Sequence, residues 1–380
     1  MNRSGSPVGP AEPPSLAKSV LLVVAAATVA MLVREPPRRA STDQPFGRLQ
    51  SRREPLSVQL RRAQEPGRGR HARTPLDIPW NGWKDILRRA TKQASEDRLF
   101  AIAAGVVFFA LLALFPAITA MVSCYGLFAK PDTIHDHLSF LESVMPAEAY
   151  SIVQGQVAHV ASKGGGALSF GFISGLALAV WSANSGMKAL IDALNIVYEE
   201  AEKRRFIRLN LASLAFTLGA IAAMLLAIGA VIITPLVLTR LGLGAMTEII
   251  LRFARWPALM IAMLLGVAVL YRYGPSRREA KWEWLSVGAS LATSAWFGGS
   301  ALLSWYFANF ANYDATYGSL GAVIGTMMWM WMSTIVILLG AELNAEIEHQ
   351  TARDTTVGVE HPLGARGAAM ADTVGAAAAA

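Results

Sequence analysis

Four polar side chains share one helical stripe in an otherwise apolar stretch. Asn184, Lys188, Asp192 and Asn195 stand at i, i+4, i+8 and i+11, a spacing that places them on one face of an α-helix. Such a stripe lines a polar path into a membrane vestibule, or it is an interfacial helix end closed by a Lys188–Asp192 pair. Glu342 closes a 27-residue run without charge and is followed by Asn344. An ionisable group at that depth is costly unless paired or hydrated. Glu342 is therefore expected either to clamp onto Arg204, Arg205 or Lys188 or to belong to a substrate path. Tyr313 and Tyr317 flank Asp314 and precede Gly318 in a short polar turn. That pattern suits aromatic anchors at a membrane interface, or a closed outer gate.

Hydrolytic chemistry finds less support. The six histidines are scattered, and His135-Asp136-His137 is their one cluster. Residues two apart on a helix diverge, and a metallo-hydrolase needs more ligands close by. The bland alternative, a polar face on an outer amphipathic helix, fits better. No G-x-x-x-x-G-K-[ST] sequence occurs, so a P-loop motor is not expected. Gly242-Leu243-Gly244 lacks the third glycine of a dinucleotide fingerprint. Cys124, the single cysteine, lies in an apolar run and is expected to be an inert packing residue. Neither a catalytic residue, a metal ligand set nor a cofactor is assigned.

The elements that must position these residues are membrane spans. The apolar set AVILMFWYC makes up 53% of the 380 residues and charged residues only 16%, against roughly 25% charged in soluble domains. Charge-free runs cover Leu99–Ala129, Gly164–Met187, Leu209–Thr239, Trp256–Tyr271, Trp284–Tyr313 and Ala315–Ala341. About 20 apolar residues cross a bilayer. Five runs are long enough outright, and Ile249–Phe253 extends the fourth. Solid runs without alternation exclude a barrel. The expected fold is an all-α, polytopic six-transmembrane-helix bundle, with amphipathic helices between Thr133 and Val160 in the first outer loop. Pro116 and Pro235 are expected to kink spans one and three. Gly171-x-x-x-Gly175 and Gly321-x-x-x-Gly325 suggest close helix contacts.

Charge sets the orientation. Placing residues 34–98 in the cytoplasm puts 27 Lys and Arg on that side and 5 on the other, so both ends of the core are expected to be cytoplasmic. The net charge of +7 comes from residues 1–98, which carry +9, while residues 99–344 carry only +1. Basicity therefore marks topology and anionic headgroups, and no nucleic-acid partner is expected. Residues 1–80 read as a basic, mostly disordered extension, 81–348 as the membrane domain, and 349–380 as a disordered low-complexity tail. Trp83–Arg98 reads as a basic amphipathic helix leading into span one. Ser19–Val33 is an extra span, a signal segment, or the product of a start assigned too far upstream.

Several stretches together resemble the bacterial YihY/BrkB family of inner-membrane proteins, historically labelled ribonuclease BN. They are Phe108–Pro116, Leu190–Asn195 with Arg204-Arg205-Phe206, Tyr313–Gly318 and Gly340–Asn344. The resemblance runs from Ala104 to about Glu346. It implies six spans with both termini in the cytoplasm and, through the BrkB name, a role in serum resistance at the envelope. The leading functional expectation is an envelope transporter or translocation component for a lipid or small solute. The alternatives are a non-transporting scaffold that holds envelope proteins and, disfavoured, a ribonuclease. Anionic lipids at the basic arm, envelope protein partners and a homo-oligomer are the expected associations.

Overall fold

Long apolar runs flanked by charge become long helices. The structure, a computed structural model, describes residues 54–128, 165–241, 245–310 and 320–377. Two short helices come first, α1 (Leu56–Ala63) and α2 (Trp80–Glu96), separated by a 3₁₀ turn at Pro75–Asp77. Six long ones follow: α3 (Leu99–Phe128), α4 (Gly165–Val197), α5 (Phe206–Leu241), α6 (Ala245–Tyr273), α7 (Trp282–Phe310) and α8 (Leu320–Glu348). The shortest of the six has 29 residues, about 43 Å of helix, more than a hydrocarbon core requires. Among the described residues, Phe206–Ala223, Trp256–Tyr273 and Val323–Glu348 are long and apolar enough to cross a membrane, and Leu99–Ala113 is a shorter apolar helical stretch. The protein is all-α and membrane-embedded. Among the described residues the only β pairing is one antiparallel bridge, Ala280 to Thr356.

Several expectations fall outside the described residues: the amphipathic helices of 133–160, the histidines at 135 and 137, the turn carrying Tyr313 and Tyr317, and Ser19–Val33. Pro116 and Pro235 lie within α3 and α5, but the expected kinks fall outside what is described there.

The buried core gathers at the end of the bundle where α4, α6 and α8 finish. Leu99, Leu194, Val197, Tyr271, Leu285, Leu338 and Met370 meet there among alanines at 103, 193, 289, 341 and 345. Farther along, apolar side chains face outward: Ile173, Leu226, Phe253 and Leu302 are all largely exposed. Exposed apolar area on that scale marks a surface made for lipid.

One close helix crossing, between α7 and α8, lies outside the GxxxG pairs. A Cβ added at Gly288 of α7 would collide with the Gly340 carbonyl and the Asn344 amide, and one added at Gly340 of α8 would lie 2.6 Å from the Gly288 oxygen. Each helix needs a glycine where their backbones touch. Gly325 leaves ordinary space, with the Phe307 ring 3.6 Å from an added Cβ.

The terminal segments correct the expected disorder. Residues 54–80 and 349–377 are ordered and packed on the core end of the bundle. Ala368, Ala369, Met370, Ala371 and Val374 are buried, with Met370 in the main core. Arginines hold these small residues down. Arg366 donates to the carbonyls of Ala352 (2.6 Å) and Ala371 (2.6 Å). Arg70, itself fully buried, donates to those of Gln350 and Gly375. Backbone pairing of Lys281 N to Thr355 O and Val357 N to Glu279 O adds the bridge. An alanine-rich segment has no periodicity to betray this, because its order comes from guanidinium groups supplied partly from far along the chain.

Candidate functional site

The apolar faces of α4 and α5 do not close completely along their length. They border an open cleft of about 390 Å³ lined by Ala177, Val180, Trp181 and Asn184 from α4 and by Phe206, Ile207, Asn210, Leu211 and Leu214 from α5. Apolar groups dominate its wall, and two asparagines supply the polarity. Asn210 satisfies its own helix, donating to the Phe206 carbonyl at 2.7 Å. Asn184 does not: its amide oxygen is buried without a hydrogen-bond partner. A polar atom in that condition costs free energy until something donates to it. The cleft offers apolar surface along both helices, with Asn184 on its wall.

The stripe on α4 divides beyond Asn184. Lys188, one turn on, is half-buried, and Asp192 is exposed near the helix end. Their expected ion pair does not form within 4 Å, although Asp192 remains the charge felt most directly at Lys188. Asn195 turns inward as a staple. Its amide donates to Glu202 at 3.0 Å and accepts from the Ser276 backbone N–H at 2.7 Å, joining two loops at the core end of the bundle.

Asn344 is a second staple of the same type. Its oxygen accepts from Gly288 N at 2.7 Å and its nitrogen donates to Leu285 O at 3.1 Å, locking α8 onto α7 at the glycine crossing. Tyr271 adds a hydroxyl bond to the Ile337 carbonyl at 2.6 Å. The hydrogen-bonding groups of Asn195 and Asn344 are thus directed to the frame of the bundle.

Glu342 does not clamp onto Arg204, Arg205 or Lys188. It is fully buried, and neither carboxyl oxygen has a hydrogen-bond partner. The charged groups that bear on it are acidic, Glu346, Asp97 and Glu199. Arg204 is committed elsewhere, to Glu202 and to the Gly274 carbonyl, at 2.8 Å in each case. Burial pushes the Glu202 carboxyl up, but the Arg204 side chain and backbone and the Asn195 amide more than offset it and hold it at about 2.

Other buried ion pairs emerge only from the fold. Arg277 meets Glu348 in a two-pronged contact at 2.7 and 2.9 Å, both side chains fully buried, and its guanidinium lies 4.0 Å over the Tyr198 ring. Burial opposes the Arg277 charge, and the Glu348 carboxylate outweighs it, raising the guanidinium above its ordinary range. Arg89 of α2 reaches Glu346 at 2.5 Å and Gln350 at 2.8 Å. The sequence signal was present as acids at 342, 346 and 348 opposite the basic turn at 277–281, but spacing alone does not choose partners.

The Virulence factor BrkB family matches residues 90–361, which takes in all six long helices and both staples. The chain belongs to the BrkB family. It is 32% identical over 272 residues to the ribonuclease-like protein YfkH of Bacillus subtilis (strain 168), covering 69% of this chain and 93% of that one. It is 25% identical to a UPF0761 membrane protein, Mpe_A1422, of Methylibium petroleiphilum, and 25% identical to one from Delftia acidovorans. The alignments cover 69% and 70% of this chain and 62% of each of those relatives. No solved structure matches.

Two of the stretches that resemble the BrkB family, Leu190–Asn195 with Arg204-Arg205-Phe206 and Gly340–Asn344, have physical roles among the described residues. Asn195, Arg204, Gly340 and Asn344 all lie in fixed joints between helices and loops. The cleft lining on α5 begins at Phe206, two residues after Arg204. Among the described residues, no group of three or more His, Cys, Asp or Glu is placed to hold a metal ion.

Proposed function

We propose that this BrkB-family chain is an inner-membrane transporter or translocation component for a lipid or small amphiphilic solute of the envelope. The observation that carries this is the lateral cleft between α4 and α5, apolar along its length and walled in part by Asn184, whose buried amide oxygen is unsatisfied. A ligand that slides in from the bilayer would satisfy both features. The stripe Asn184, Lys188 and Asp192 forms its polar edge, with Tyr313, Tyr317 and Glu342 as further candidates for the path. Asn195 and Asn344 hold the helices that frame it. The excess of Lys and Arg at the core end of the bundle supports a cytoplasmic position for both ends of the core.

A second reading has its own support. Leu76, Trp80, Leu56 and Leu60 are exposed on the ordered N-terminal segment, a surface suited to a partner protein or to the bilayer surface. In that case the chain is a scaffold for envelope assembly. The ribonuclease-like name belongs to the Bacillus relative, and nothing in the cleft suggests hydrolysis.

Lipid and metabolite profiling of the envelope in a deletion strain separates the first two readings. A transporter leaves a lipid or solute accumulated on one side of the inner membrane. An unchanged profile, together with loss of a crosslinked envelope partner, favours the scaffold.

A further inference from the structure

The cleft has a charged end as well as an apolar wall. Lys188 follows Asn184 by one helical turn on the same face of α4. The antiparallel neighbour α5 begins at Phe206, at the polar end of the cleft. Two more cations flank that start: Arg205 and Arg208 are both exposed. None of the three makes an ion pair within 4 Å among the described residues, in contrast to Arg204, which is engaged by Glu202. Cations left unpaired beside an apolar groove favour one kind of occupant. A neutral lipid would use the groove and leave the charge unanswered, and a soluble anion would do the reverse.

We propose that the cleft is a binding site for an anionic glycerophospholipid of the bilayer. Its phosphate sits by Lys188 at the first turn of α5, and one acyl chain runs along Trp181, Ala177 and Leu211. The first backbone N–H groups of α5 point toward the same end, because a helix start leaves them without intrahelical acceptors. The Asn184 amide oxygen accepts from a headgroup or glycerol hydroxyl, which gives that buried atom its partner. Trp181 is 42% exposed, as an indole on a lipid-facing wall should be. The site rests on the transport reading only in its choice of cleft, and lipid binding is measurable whether or not anything is moved.

The test is photocrosslinking in reconstituted vesicles of the full chain. Phosphatidylglycerol and phosphatidylcholine carrying the same diazirine acyl label are compared, and adducts are mapped by peptide mass spectrometry. Adducts on 177–188 and 206–214 are expected to form preferentially with phosphatidylglycerol. Lys188→Gln should lower that preference about fivefold, and Lys188→Arg should keep it. Leu211→Trp, which fills the groove, should reduce labelling by both lipids. Equal labelling by the two lipids in the unaltered protein, or a preference that survives Lys188→Gln, overturns the proposal. Preferential adducts without lipid flux would keep the site and remove the transport reading. Flux without any preference would remove the site and leave transport standing.

Discussion

Asparagine and glutamate at superficially similar places in this chain do different things, and the difference lies in what surrounds each amide or carboxyl. Asn195 and Asn344 accept from one backbone N–H apiece, at 2.7 Å in both cases, and donate onward. Asn184 lines the cleft, and its buried amide oxygen has no partner. Glu202 is the residue whose state is easiest to read in solution. Its carboxyl is held at about 2, below the roughly 4.3 of an unfolded glutamate. A depressed acid contributes stability above its unfolded pKa and loses it as pH falls through the folded value. The thermal midpoint of detergent-solubilised protein should therefore fall more steeply between about pH 4 and about pH 2 than that of Glu202→Gln. Parallel curves for the two proteins would refute the Arg204–Glu202–Asn195 linkage.

At the scale of elements, helix existence was legible and helix contact was not. Runs of 24 to 31 uncharged residues can hardly become anything but helices in a bilayer, so α3, α4, α5, α7 and α8 followed directly from the charge map. The fourth run needed Ile249–Phe253 to extend it, as α6 indeed does. The close approach of α7 and α8 was missed because Gly288 and Gly340 lie in different helices with no short motif between them, whereas a Cβ added at Gly325 of the Gly321-x-x-x-Gly325 pattern would meet only the Phe307 ring at 3.6 Å. Gly288→Ala places a methyl group against the Gly340 carbonyl and the Asn344 amide. Overpacking of this kind costs about 1–3 kcal/mol, and the lost Asn344 bond adds to it. Thermal denaturation in detergent should show a clear drop for Gly288→Ala, and almost none for Gly298→Ala, where an added Cβ meets nothing within 4 Å. Equal midpoints would mean that the crossing is looser than described.

For the whole molecule, the described terminal segments act as one cap over the core end of the bundle. Arg62, Arg70 and Arg89 each donate to a carbonyl between Val374 and Ala376, so the segment after α8 is fastened to the segment before α3. Composition suggested loose ends because low apolar periodicity usually means disorder. Here guanidinium groups and buried alanines replace periodicity. Arg366→Ala removes side-chain donors to four backbone carbonyls, at 2.6, 2.6, 2.9 and 3.2 Å. Limited proteolysis should then cut between 353 and 377 in the variant while sparing that segment in the parent. Equal resistance would show that the arginine is dispensable.

The central claim is that the cleft between α4 and α5 carries an amphiphile. Its most direct test is the movement of a fluorescent phospholipid between leaflets of proteoliposomes. The measurement compares the unaltered chain, a cleft-filled Ala177→Trp/Leu214→Trp variant, and Leu178→Trp on an exposed face of α4 away from the cleft. Protein-dependent movement should fall to the protein-free rate when the cleft is filled and persist with Trp at 178. Undiminished movement in the cleft-filled protein would contradict it.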